Sequence, residues 1–142
     1  MLIDKKLLDD LTAQAKASSR LRMHYDLRDT VEDLSQRMLN ALEPGTVIPV
    51  HRHNETSEEV IVLRGCVEEI FYDAIGKETA HYRLEPISPS ATNNSVPAIH
   101  VPMGQYHSCK SLQSGSVIIE FKNGKYDPET TEDILLSACA KP

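Results

Sequence analysis

The apolar positions of this chain change period once, near residue 19. Over residues 4–17, Leu7, Leu8, Leu11 and Ala15 recur at helical spacing with charges between them, which predicts an amphipathic helix. Asp4 is its expected N-cap and Ser18-Ser19 its expected stop. Such a helix is expected to pack on the outside of the fold or against a second subunit. From Arg20 onward the pattern breaks into short segments between turn residues. Residues 20–26 read as a polar strand. Residues 36–42 fit either period and are taken as strand from context. Residues 47–53, 59–63 and 66–72 are rich in Val, Ile and aromatics and read as strands, with Arg64-Gly65 as a tight turn. Residues 78–84, 100–101, 107–112 and 116–122 complete the strand set. Residues 85–97, dense in proline, serine and asparagine, read as an irregular loop. After Gly124 the chain reads as loop, then a short helix near residues 134–138. Seven to nine short strands with frequent turn signals predict a sandwich or barrel, an all-β fold with one N-terminal helix.

Composition narrows this picture. A chain of 142 residues that is 40% hydrophobic has the size and core of one globular domain. The expected organisation is a single domain over 1–142, with a helical arm at 1–19, a barrel at 20–124 and a tail at 125–142. A formal net charge of -6 argues against nucleic acid and anionic membranes as partners, because both require a basic footprint. No apolar run is long enough to span a bilayer. Acids at Asp4, Asp9 and Asp10 stand where a signal peptide needs an apolar stretch, so a cytoplasmic setting is expected. Cys66, Cys109 and Cys139 are then expected to be reduced thiols.

The chemistry concentrates in two stretches. Residues 45–58 carry His51, His53 and Glu58, and residues 102–107 carry His107. Because strand side chains alternate, an H-x-H pair puts both imidazoles on one face. Glu58 begins the next strand, on the face shared by Val60 and Val62. Antiparallel pairing of the strands at 47–53 and 59–63 would bring it beside the histidines. Pro102 and Gly104 shape the turn that aims His107. Three imidazoles and a carboxylate suit one divalent transition metal, with Fe, Mn, Zn and Ni all acceptable. One or two coordination positions would stay open, as in catalytic sites.

Gly45, His51, His53, Glu58 and Gly65 resemble the first cupin motif in register, and Pro102, Gly104 and His107 resemble the second. Val96 and Ser111 stand where the second motif has glycine and asparagine; neither removes a ligand. Residues 36–45 running into His51-Arg52-His53, together with residues 126–130, are similar to WbuC-type cupin metalloproteins. The resemblance implies a cupin β-barrel of jelly-roll type with one metal inside its mouth. It also implies a link to bacterial surface-polysaccharide biosynthesis.

Three side chains outside the motifs are pocket candidates: Asn40, polar inside an apolar strand; Tyr106, beside His107; and Cys109, on the face of His107. Each has an ordinary structural alternative: an exposed strand position, a rim aromatic, a small buried hydrophobe. Arg52 must face away from the two histidines that flank it. His24, His81 and His100 read as surface or hydrogen-bonded histidines, although the strand holding His24 could line the barrel mouth. The expected function is a metal-dependent enzyme acting on a small polar molecule such as a sugar or nucleotide sugar. A non-catalytic ligand-binding or regulatory module and a non-haem Fe(II) oxygenase are the alternatives. No general base is identifiable, and a homodimer is expected because small barrels often bury an N-terminal arm on a partner.

Overall fold

The computed structural model of the chain describes residues 1–91, 94–127 and 131–133. Helix α1 (Lys5–Ala17) begins where the Asp4 carboxylate accepts from the Leu7 amide, as its cap position requires. Among the described residues ten strands follow: β1 (Arg22–Asp26), β2 (Ser35–Leu42), β3 (His51–His53), β4 (Glu58–Arg64), β5 (Val67–Tyr72), β6 (Glu78–Leu84), β7 (Ala98–Val101), β8 (Tyr106–Ser111), β9 (Ser116–Asn123) and β10 (Thr131–Asp133). They form two five-stranded antiparallel sheets, ordered β1-β2-β9-β4-β7 and β10-β3-β8-β5-β6. This is the expected jelly-roll architecture with one short N-terminal helix. The strand beyond the expected range is β10, in the segment read as tail, which pairs with β3 at the sheet edge. The helix expected at 134–138 and Cys139 lie outside the described residues.

The first sheet is covered on both faces, which explains why its strands do not alternate cleanly. Outward-facing Leu39, Ala41, Val117 and Ile119 pack under Leu8, Leu11 and Ala15 of α1. The helix therefore packs on the chain's own sheet. Inward-facing Leu42, Ile118, Val60 and Val62 meet Val67, Leu84 and Cys109 of the second sheet. Arg64 fastens the helix down: its guanidinium donates to the Leu8 carbonyl, the Thr12 hydroxyl, the Asp9 carboxylate and the Gly115 carbonyl. Gly65 turns β4 into β5 at φ +84°, and a Cβ there would lie 2.7 Å from the Ser116 Cα. The position thus demands glycine twice, by conformation and by space.

Two expectations differ from the structure. Of residues 47–53 only His51–His53 form a strand. Pro49 has no amide to give a ladder, and the Ile48 carbonyl accepts instead from the Ser108 hydroxyl. Nor do β3 and β4 pair: they belong to different sheets. Glu58 reaches the histidines across the interior, not along a hairpin. Toward this end of the sandwich the inward positions turn polar, with Gln36 and Asn40 on β2 and Glu120 and Lys122 on β9.

Candidate metal centre

Alternation puts His51 and His53 on the inner face of β3, and His51 stands directly across from His107 of β8. The turn before β8 is tied to the H-x-H strand: Gly104, at φ +79°, donates its amide to the His53 carbonyl at 2.9 Å. The three rings then cluster, with centroids 5.1 Å (His51–His53), 4.4 Å (His51–His107) and 5.7 Å (His53–His107) apart. One nitrogen from each lies within 4.8 Å of the others. Glu58 enters from the opposite sheet at the start of β4, where Val101 and Lys122 flank it in register. Its Oε1 lies 2.8 Å from His107 Nε2, and its Oε2 lies 3.5 Å from His53 Nε2. The structure brings together all four residues read as ligands.

Backbone carbonyls fix which ring atoms face inward. His51 Nδ1 lies 2.7 Å from the Pro49 carbonyl and His107 Nδ1 lies 2.9 Å from the Gln105 carbonyl. A carbonyl only accepts, so each Nδ1 carries its hydrogen and each Nε2 turns to the site. This is how metal-ligating imidazoles are held elsewhere. Burial lowers the pKa of His51, with the charge of His107 adding to the effect. Burial and then Lys122 bring His53 down to about 4. Both rings are therefore neutral near pH 7 and have lone pairs to offer. His107 behaves oppositely. Burial alone would lower it, but the hydrogen bond to Glu58 and that group's charge raise it. Burial would raise Glu58, but His107 and Lys122 outweigh it and hold the carboxyl well below its usual range. In the metal-free chain, then, a proton on His107 bridges to the Glu58 carboxylate.

Sequence reasoning did not find Glu69 and Glu120. Glu69 stands beside Cys109 in register, is 1% exposed, and pairs with the Cys109 thiol. Its Oε2 is buried with no hydrogen-bond partner among the described residues. Burial raises its pKa to about 8, and Glu58 adds to the rise. Burial and then Glu58 likewise raise Glu120 to about 7. Both acids border a cavity of about 50 Å³ enclosed by the three histidines and Glu58. That volume holds an ion with one or two water-sized ligands. Three imidazole donors, two of them already neutral, a carboxylate and an unmatched buried oxygen form a donor set that fits a borderline divalent cation.

The other candidates separate. Cys109 lines the small cavity, and burial with Glu69 keeps its thiol protonated. Asn40 lines a larger adjoining cleft, where it hydrogen-bonds Glu120. Tyr106 is not brought to the site: alternation sends it to the opposite face from His107, where Arg52 lies 4.7 Å over its ring. His81 pairs with Glu68 and Glu78, and His100 with Glu59, both at the surface. His24 sits exposed on the edge strand β1 and borders the cleft, so both of its readings hold in part. No helix of the described residues is long and apolar enough to cross a membrane.

Two packed sheets with histidines at one end define a class of protein, the cupin fold, and solved structures agree. Capsular polysaccharide assembling protein CapF from Staphylococcus aureus superposes with a TM-score of 0.64 at 21% identity, covering 82% of this chain and 32% of that one. This chain thus spans about a third of CapF's length. Protein SO0799 from Shewanella oneidensis matches with a TM-score of 0.64 at 15% identity, over 82% of this chain and 75% of its own. Oxalate decarboxylase from Bacillus subtilis matches with a TM-score of 0.56 at 16% identity, over 85% of this chain and 29% of its own. At these identities the likeness concerns the fold. Within that fold the chain belongs to the family described as a domain of unknown function, DUF6016, which matches residues 3–84. No curated protein matches the sequence significantly.

Proposed function

We propose that this chain is a metal-dependent cupin enzyme acting on a small polar molecule, with His51, His53, Glu58 and His107 holding one divalent transition metal. The observation that carries the reading is the convergence of three imidazoles, two with Nδ1 tied to backbone carbonyls, on a buried carboxylate from the opposite sheet. A bound metal would supply Lewis acidity toward an oxygen of the substrate or of water. The chain's own groups would do the rest. Loss of the proton shared between His107 Nε2 and Glu58 would leave both groups free to ligate the ion. Glu69 and Glu120, both held near neutrality, can store or give up a proton beside the site. A sugar or nucleotide sugar of surface-polysaccharide biosynthesis is the substrate class favoured. Support comes from the similarity of fold to CapF, a capsular polysaccharide assembling protein, and from the WbuC-like segments of the sequence. A cytoplasmic homodimer belongs to the same proposal.

The test is turnover. Protein loaded separately with Fe(II), Mn(II), Zn(II) and Ni(II) is offered a panel of sugars and nucleotide sugars. Turnover that disappears in His53→Ala is the expected result. Ligand binding without turnover on any metal would make the chain a binding module instead, and activity that survives loss of His53 would overturn the metal reading.

A further inference from the structure

Although the net charge is -6, a strongly basic concavity lies among the described residues. Beside the metal cavity lies a cleft of about 450 Å³, within the range of small-molecule sites. Arg20, Arg22, Arg28 and Lys122 border it, against the single carboxylate of Glu120. These cations are not equally occupied. Arg28 is engaged by Asp26 at 2.7 Å. Among the described residues Arg20 and Arg22 have no carboxylate partner, and Arg22 Nη1 is held by the Val47 carbonyl. The two guanidinium groups are close enough that Arg20 disfavours the charge on Arg22, which burial disfavours first. Two like charges held together without a counter-ion raise the energy of the ligand-free state, and an oxyanion between them relieves it.

The cleft also leads to the chemistry. Lys122 and Glu120 border both it and the metal cavity, and Lys122 Nζ is 3.8 Å from Glu58 Oε2. Arg22 and Lys122 recur on a second opening that reaches His51 and His53 directly. Polar Gln36, Asn40 and His24 stand along the same wall, suited to hydroxyl groups.

From this arrangement we infer that the cleft binds an acidic sugar derivative, its carboxylate or phosphate held by Arg20 and Arg22 and its hydroxyl-bearing part laid past Lys122 toward the metal cavity. The inference rests on the proposed function for what happens next, but not for binding.

The test uses isothermal titration of the full chain, metal-loaded and metal-free, with glucuronate, glucose 1-phosphate and glucose. At least one acid is expected to bind about 10- to 100-fold more tightly than glucose, as expected for charge-assisted hydrogen bonds. The two acids separate carboxylate from phosphate recognition. Arg20→Gln and Arg22→Gln are each expected to remove most of that preference while metal content stays unchanged. Arg20 is exposed, so its replacement leaves folding untouched and keeps the test decisive. Equal binding of glucose and both acids, no binding of either acid, or an acid preference that survives both substitutions would overturn the inference. Acid binding that persists in a His53→Ala protein devoid of metal upholds the cleft independently of the metal, whereas acid binding by wild-type protein that retains no metal would uphold the cleft and overturn the metal reading alone.

Discussion

Glu58 and His107 are the pair on which the site turns. Both are almost wholly enclosed, 3% exposed each, and they meet at 2.8 Å. Removing one partner of a buried ion pair strands the other, which costs about 3–5 kcal/mol. Glu58→Ala is therefore expected to lower the stability of the metal-free protein by that order, measured by urea unfolding, and also to abolish metal retention. Glu69 makes the opposite case. Burial outweighs the help that His107 and the Cys109 thiol give its charged form, so Glu69→Gln keeps the shape and removes an acid whose ionisation the interior disfavours. It is expected to stabilise the metal-free protein at pH 8 and to change nothing at pH 4, where the native acid is already protonated. A loss of stability at pH 8 would show that the buried oxygen has a partner that matters.

At the scale of elements, what can be read from sequence depends on how far apart the contributing residues are. The H-x-H pair is local, and alternation alone puts His51 and His53 together. The turn of Pro102 and Gly104 is local too, and it delivers His107. Glu58 was legible as a ligand beside the histidines but its route there was not, because sequence adjacency suggested a hairpin and the fold sends β3 and β4 to different sheets. Glu69 left no local signal: Glu68 and Glu69 are adjacent acids, and only the register of β5 with β8 shows that Glu69 accompanies Cys109 inward. Arg20 and Arg22 read as part of a polar strand; Arg22 opens the edge strand β1 and Arg20 lies in the turn just before it. Their sharing of one cleft with Lys122 depends on sheet order β1-β2-β9. Two element-scale outcomes test the packing. Gly65→Ala is expected to cost about 2–5 kcal/mol, since it adds a left-handed strain to a clash with the Ser116 backbone. Arg64→Ala is expected to cost about 1–3 kcal/mol through its lost hydrogen bonds to Thr12, Leu8 and Gly115. Of this, the contact with half-exposed Asp9 contributes little. Both are measured by chemical denaturation.

For the whole molecule the buried titratable groups set a pH dependence with a definite sign. His107 is raised above its ordinary 6.5 by Glu58, so its stabilisation is complete below pH 6.5 and is lost as pH rises through the raised value. Glu69 is raised from 4.5 to about 8, so the unfolded chain loses this proton first and stability again falls with rising pH across that interval. Neutral His53, brought down to about 4, acts the other way, but its effect is complete by pH 6.5. Between about pH 6.5 and 8 the remaining terms share one direction: metal-free protein is expected to become less stable as pH rises. Metal binds the deprotonated histidine, so loaded protein is expected to lose this fall or reverse it. Thermal unfolding of both forms across that window reads the difference directly.

The central claim is that four side chains from two sheets hold one metal ion. Elemental analysis after exhaustive dialysis, on wild type and on His51→Ala and His107→Ala proteins shown by circular dichroism to be folded, tests it most directly. The expected result is close to one divalent transition-metal ion per wild-type chain and almost none in either variant. Wild-type protein that retains no metal, or variants that retain as much as wild type, would contradict it.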